Sequence, residues 1–181
     1  MDGLLFEWLD REEYQGFPLI FRYTTDGYYH VQTTELGMKL RLRHFNQPVS
    51  KQFTDSLFSS WLEDPVALGV FAGEVLAGVI EGSAESWHQV FRISNLLVTE
   101  QFRRLGIGSM LLEKMIAYAK EQSDCRGVIL ETQSCNLPAI AFYRRHGFLL
   151  DRISLREYSN EDIQRHEVRL DFFRPFVSAE R

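Results

Sequence analysis

Gln101-Phe102-Arg103-Arg104-Leu105-Gly106-Ile107-Gly108-Ser109 is the stretch on which the fold turns, because it joins a glycine-rich turn to the start of an amphipathic helix. The two glycines let the main chain bend tightly and come close to a bound group. The first amides of the helix that follows have no partner inside it and lie at the positive end of its dipole, so the turn suits an anion such as a pyrophosphate. It is not a P-loop, since no Lys-Ser or Lys-Thr follows Gly106 at the required place, and the third glycine of a dinucleotide fingerprint is missing. What remains is R-x-x-G-x-G, spelled by Arg103, Gly106 and Gly108 after a strand-like run from Phe91 to Thr99. Taken alone, the hexapeptide also reads as an ordinary glycine-rich turn into a helix.

Working outward, Leu112, Met115, Ile116 and Ala119 form an apolar stripe at i, i+3, i+4 and i+7, which predicts a helix lying on a sheet. Upstream, Val66 to Phe71 and Val75 to Glu81 read as an antiparallel pair joined through Ala72-Gly73-Glu74. Phe17 to Phe45 is strand-rich, with Asp26-Gly27 as a hairpin signal between Leu19–Tyr23 and Tyr28–Val31. Phe53, Leu57 and Trp61 stand at helical spacing, predicting a helix from Lys51 to Glu63 that Asp64-Pro65 ends. Downstream, Gly127 to Gln133 is a strand and Pro138 to His146 a short helix stopped by Gly147. Phe148 to Tyr158 and His166 to Phe173 supply two closing strands.

The 181 residues, 45% hydrophobic and 25% charged, fit one domain over residues 1–181 with a substantial core. A net charge of -5 argues against a nucleic-acid binder, which needs a concentrated basic face, and suits a cationic partner. No apolar run approaches membrane-spanning length, and Met1-Asp2-Gly3 carries neither a positive flank nor an apolar region, so the expected location is cytoplasmic. Cys125 and Cys135 match no metal spacing and are expected as free thiols. His30, His44, His146 and His166 show no metal-ligand clustering, so no metal is expected.

A second motif follows the turn: Leu130-Glu131-Thr132-Gln133, Asn136, Ala139, Tyr143 and Gly147-Phe148. Asn136 and Tyr143 are seven residues apart, about two helical turns, and so share a face. The two motifs, in this order and with this succession of strands and helices, resemble the GNAT superfamily of N-acetyltransferases over nearly the whole chain. The resemblance implies an α/β (α+β) fold with a mixed, mostly antiparallel central sheet flanked by helices, in which a splayed parallel strand pair forms the acetyl-CoA groove. It implies acetyl-CoA as cofactor and coenzyme A as product, held by Leu96, Leu97 and Val98, by Arg103, Arg104, Leu105, Gly106, Ile107, Gly108 and Ser109, and by Asn136, Ala139 and Tyr143. In the family the tyrosine hydroxyl protonates the departing thiolate, which points to Tyr143. A backbone amide at a strand bulge receives the developing oxyanion, which points to Leu97 or Val98. The chain departs from the usual spelling by having Arg104-Leu105 where Gly-Lys or Gly-Gln is common.

A protonated amine cannot attack a thioester until it loses a proton, so a base or a water chain is expected. Glu81, at the end of the strand Val75 to Ile80, is the candidate, taking the proton directly or through water. It also reads as an electrostatic partner for a cationic substrate or as an exposed strand end. His88, in the segment Gly82 to Gln89, is the other titratable candidate and reads equally as a surface histidine.

Ile80-Glu81-Gly82-Ser83, Trp87 and the second motif are similar, more narrowly, to streptothricin acetyltransferases, which acetylate an amine on a cationic antibiotic. That resemblance makes Glu81 and Trp87 substrate-binding candidates, with Trp87 as an apolar or cation-binding wall. The same residues also read as a stabilised loop and a core edge. The expected function is transfer of an acetyl group to a primary amine of a small cationic molecule. The alternatives are a non-catalytic acyl-CoA-binding sensor and an acetyltransferase acting on a protein or peptide amine. Neither nucleic acid nor membrane is expected as a partner. The chain is expected to be a monomer or a homodimer, and Phe172-Phe173-Arg174-Pro175-Phe176 is expected to close its own sheet.

Overall fold

The computed structural model describes residues 3–122 and 124–176, so the Met1-Asp2 start read above lies outside the described residues. In chain order the elements are β1 (Leu4–Trp8), α1 (Arg11–Tyr14), β2 (Pro18–Thr33), β3 (Met38–Ser56), β4 (Val66–Ala72), β5 (Val75–Glu85), β6 (Val90–Val98), a 3-10 turn (Glu100–Phe102), α2 (Ile107–Gln122), β7 (Gly127–Gln133), α3 (Leu137–Arg145), β8 (Leu149–Ser154), α4 (Asp162–Arg165) and β9 (Arg169–Pro175). They form two compact units, one of residues 3–21, 54–129 and 175–176, the other of residues 22–53 and 130–174.

In the first unit, β1, β4, β5 and β6 are successive antiparallel neighbours. The expected pair β4 and β5 turns through Gly73-Glu74, with Ala72 opposite Val75 and Gly73 in the left-handed region at φ +62. The predicted stripe of α2 is buried, joined by Ile107 and Leu111. A Cβ on Gly78 of β5 would stand 2.9 Å from the Leu97 carbonyl oxygen and 3.2 and 3.3 Å from the Leu111 and Ile107 side chains. The first turns of α2 therefore rest on bare strand backbone, which fixes where the helix N-terminus points.

In the second unit, β2 and β3 form a long two-stranded sheet, and β7, β9 and β8 lie side by side, β8 and β9 antiparallel. Of the closing segment Phe172–Phe176, Phe172 and Phe173 lie in β9 opposite Leu150 and Leu149 of β8, pairing within the chain's own sheet as expected.

Four expectations are corrected. Asp26-Gly27 makes no hairpin: β2 runs through it, and the reversal comes at Thr34–Gly37, where the Thr34 amide donates to the Gly37 carbonyl at 2.8 Å. Gly27 serves close approach instead, since a Cβ there would sit 2.3 Å from the Arg43 carbonyl oxygen of the facing strand. The helix expected over Lys51 to Glu63 is absent, because β3 continues to Ser56 along its partner and of the supposed stripe only Leu57 is buried. Pairing with a long neighbouring strand overrode a three-residue helical pattern. The strand holding Glu81 does not end there but extends to Glu85. The closing strands are shorter than read, β8 ending at Ser154 and β9 beginning at Arg169.

Candidate active site

The cradle is built by the backbone. At the end of β6 the Thr99 amide and hydroxyl both donate to the Ala77 carbonyl, at 3.0 and 3.1 Å, tying the strand end to its neighbour. Arg103 Nε donates to the Val98 carbonyl at 3.0 Å, so this arginine braces the turn. Arg104 and Gly106 then take left-handed conformations, at φ +64 and +81, folding the main chain into a concave turn. The Gly106 carbonyl accepts the Met110 amide at 3.1 Å, which places the amides of Ile107 and Gly108 ahead of the first bond inside the helix. A Cβ on Gly106 would meet nothing within 4 Å, so the turn is open on that side. An open concave turn at the start of a 16-residue helix fits a pyrophosphate.

Leu96, Leu97 and Val98 stand opposite Ile80, Val79 and Gly78 in the β5–β6 register. The β5–β6 register shifts farther up the strand: Glu81 faces Asn95 and Gly82 faces Ile93, so the extra residue of β6 is Ser94, a position the sequence did not fix. Glu81 sits at that irregularity and is 0% exposed. Its Oε1 accepts the Phe58 amide, and its Oε2 accepts the Ser94 hydroxyl at 3.1 Å and the Asn95 side-chain amide at 2.8 Å. A carboxylate so enclosed does not form the edge of a pocket, and only Ser94, half-buried, connects it outward.

Trp87, 75% exposed, stacks on His88 with ring centres 4.8 Å apart. Arg126 Nη2 lies 3.0 Å from His88 Nε2, and since a guanidinium only donates, Nε2 is the acceptor in that contact. The structure thus gives His88 a bracing role between Trp87 and Arg126.

The second unit carries the other motif. Asn136 caps α3 by accepting the Ala139 amide on its Oδ1 at 3.2 Å, which leaves its NH2 as the side-chain group for a ligand. Pro138 is preset for the first turn of the helix, and Gly147 ends it at φ +80. Tyr143 packs against Phe148 and Phe172, ring centres 6.1 and 6.4 Å away, and its hydroxyl has no hydrogen-bond partner among the described residues. Burial, with the Glu131 charge adding to it, pushes this phenol up to about 12. It is therefore protonated near neutral pH.

Sequence reasoning missed a polar cluster in the same unit. The Tyr23 hydroxyl donates to Gln133 Oε1 at 2.9 Å and lies 3.3 Å from the Cys135 sulfur, and burial pushes both the phenol and the thiol up. Tyr23 precedes Gln133 by 110 positions, so no local pattern announces the pair. Arg169 ties together Glu131, Glu157 and Asp171 at 2.6 to 2.8 Å. His166 stacks on Tyr28 with ring centres 3.7 Å apart, and its buried Nδ1 has no partner among the described residues. No group of three or more potential metal ligands occurs among the described residues.

Residues 35–148, more than half of the chain, match the family model described as "Acetyltransferase (GNAT) family". The chain belongs to the GNAT acetyltransferase family. It is accordingly an acetyl-CoA-dependent N-acetyltransferase with the mixed GNAT fold, a large, mostly antiparallel sheet with one parallel strand pair flanked by a few helices. Among relatives, it is 32% identical over 119 residues to streptothricin acetyltransferase A of Bacillus subtilis (strain 168), covering 64% of this chain and 68% of that protein. It is 32% identical over 126 residues to N-alpha-acetyltransferase 30 of Xenopus laevis, covering 68% of this chain but only 45% of that protein. The crystal structure of a nourseothricin acetyltransferase superposes with a TM-score of 0.77 at 24% identity, over 96% of this chain and 98% of that one, a likeness of fold. No helix among the described residues is long and apolar enough to cross a membrane.

Proposed function

We propose that this GNAT enzyme, acting over residues 1–181 as one acetyltransferase domain, acetylates a primary amine of a small cationic molecule of the streptothricin type. The observation that supports the chemistry is the Tyr143 hydroxyl, protonated and without a hydrogen-bond partner among the described residues, on the tyrosine that matches the family's acid in the motif. Acetyl-CoA supplies an acetyl group activated as a thioester. The amides at the start of α2 and the Arg103 to Ser109 turn hold its pyrophosphate. Leu96, Leu97 and Val98 present strand backbone to the acyl arm, and the Asn136 NH2 and the Ala139 surface bind that arm farther along. Tyr143 delivers a proton to the leaving sulfur. Glu81 draws the proton from the acceptor through the Ser94 hydroxyl, because its own oxygens are enclosed. Trp87, with its outer face exposed, offers a ring face to a cation.

The streptothricin reading is supported by the relative from Bacillus subtilis, of which the chain spans two thirds, and by the net negative charge. A second reading, acetylation of a protein N-terminus, is supported by the match to N-alpha-acetyltransferase 30. Thiol release from acetyl-CoA, measured over a panel of streptothricin, small polyamines and peptides with free N-termini, separates them. Streptothricin should be turned over with the highest kcat/KM. A peptide preference replaces the first reading by the second, and coenzyme binding with no amine-dependent release for any of them would leave an acyl-CoA-binding sensor.

A further inference from the structure

The second unit carries an open hollow of about 310 Å³. Its inner wall is apolar and buried, made by Ile140 of α3, Phe148, and Leu170 and Phe172 of β9. Leu149 and Leu150 of β8, both exposed, stand at its mouth, and Leu40 of β3 closes a side. Two polar side chains line it, Tyr29 and Arg144. Tyr29 is half-buried and Arg144 exposed at the opening, and neither the hydroxyl nor the guanidinium has a hydrogen-bond or ion-pair partner among the described residues. An apolar hollow with two unengaged donors, one of them a permanent cation, is complementary to a molecule with an apolar tail and an anionic head.

The geometry points to a binding site for an amphipathic carboxylate of medium chain length. At roughly 30 Å³ per water the hollow holds on the order of ten waters, which matches a carboxylate of about ten non-hydrogen atoms, such as octanoate. The tail displaces water from Ile140, Phe148, Leu170 and Phe172, and the head takes the Arg144 guanidinium and the Tyr29 hydroxyl. A small apolar molecule with one charge-assisted contact binds with a Kd on the order of 10⁻⁴ M. The site does not depend on the reaction assigned above, because it is read by binding alone.

The test is a calorimetric titration of the whole chain with sodium octanoate, repeated with octylammonium chloride and with acetyl-CoA already bound. Octanoate should bind one per chain, octylammonium should not, and acetyl-CoA should leave the octanoate affinity within a factor of about three. Arg144→Glu should weaken octanoate about 10-fold or more. Tyr29→Phe, which keeps the ring, should weaken it a few-fold and serves as the second variant if Arg144→Glu does not fold. Absence of saturable binding, equal binding of octylammonium, or variants that bind as the parent does would overturn the assignment. So would displacement of octanoate by acetyl-CoA, which would make the hollow part of the coenzyme site. Sedimentation showing a dimer that Arg144→Glu dissociates, with no octanoate bound, would overturn it in favour of a second copy of the chain.

Discussion

Ser94, the residue by which β6 outruns β5, donates its hydroxyl to Oε2 of the buried Glu81 at 3.1 Å. The bulge therefore does more than bend a strand: it turns a hydroxyl toward a carboxylate that no solvent reaches. If that hydroxyl relays the acceptor's proton, Ser94→Ala should lower kcat about 10-fold with little change in the Kd for acetyl-CoA. Steady-state kinetics beside calorimetry check it, and unchanged kcat would leave Glu81 as a purely structural anchor.

Asn95 holds the same carboxylate from the opposite register position, at 2.8 Å. Asn95→Leu removes a donor from a buried carboxylate oxygen, a loss of about 2 kcal/mol, and should lower Tm by about 5 °C. Thermal unfolding followed by circular dichroism measures it.

Tyr143→Phe keeps the ring contacts with Phe148 and Phe172 and removes only the hydroxyl. Turnover should fall by roughly 10²-fold or more while coenzyme binding stays within a factor of about two. Equal losses in both would mark Tyr143 as a coenzyme contact and not the acid.

Gly106 at φ +81 tests the cradle. Gly106→Val places a β-branched side chain in a left-handed conformation and on the open side of the turn, at a strain of about 1–2 kcal/mol. Acetyl-CoA binding should weaken by at least about 10-fold, with the folded state still detectable by circular dichroism. Binding as tight as in the parent would move the pyrophosphate elsewhere.

His166 gives a pH dependence with a definite sign. Burial lowers its pKa, and His30 and Lys51 lower it further, while the Ile163 backbone and Glu167 oppose the shift; Tyr28 covers one ring face. A histidine whose folded pKa lies below its unfolded value stabilises the fold fully above the unfolded value, about 6.5, and loses that contribution as pH falls through the folded one. Tm should therefore drop on going from pH 7.5 to below about 6, and His166→Phe, which keeps a ring against Tyr28, should flatten that part of the profile. A parallel profile in the variant would assign the drop to other groups.

The parts legible in the sequence are local. The α2 stripe, the β4–β5 hairpin at Gly73, the Gly147 stop and the turn from Arg103 to Ser109 depend on residues within a few positions of one another, and each stands where it was expected. The Asp26-Gly27 signal misled for a physical reason: the same glycine that permits a turn also permits close approach, and the Arg43 carbonyl beside it decides which is used. The Phe53, Leu57 and Trp61 spacing misled because three residues are too few to outweigh pairing along β2 and β3.

By itself, then, the sequence determined the β4–β5 pair, the glycine turn that opens α2, and the succession β7, α3, since these rest on neighbouring residues and on steric rules that hold before the chain folds, and it marked Tyr143 as the candidate acid. Tertiary structure alone decided that Glu81 is enclosed, that the bulge falls at Ser94, that Tyr23 meets Gln133 and Cys135, and that Arg144 and Tyr29 line one hollow. Each of those depends on groups distant in sequence, whose meeting is set by strand register and by the packing that repays the entropy of closing long loops.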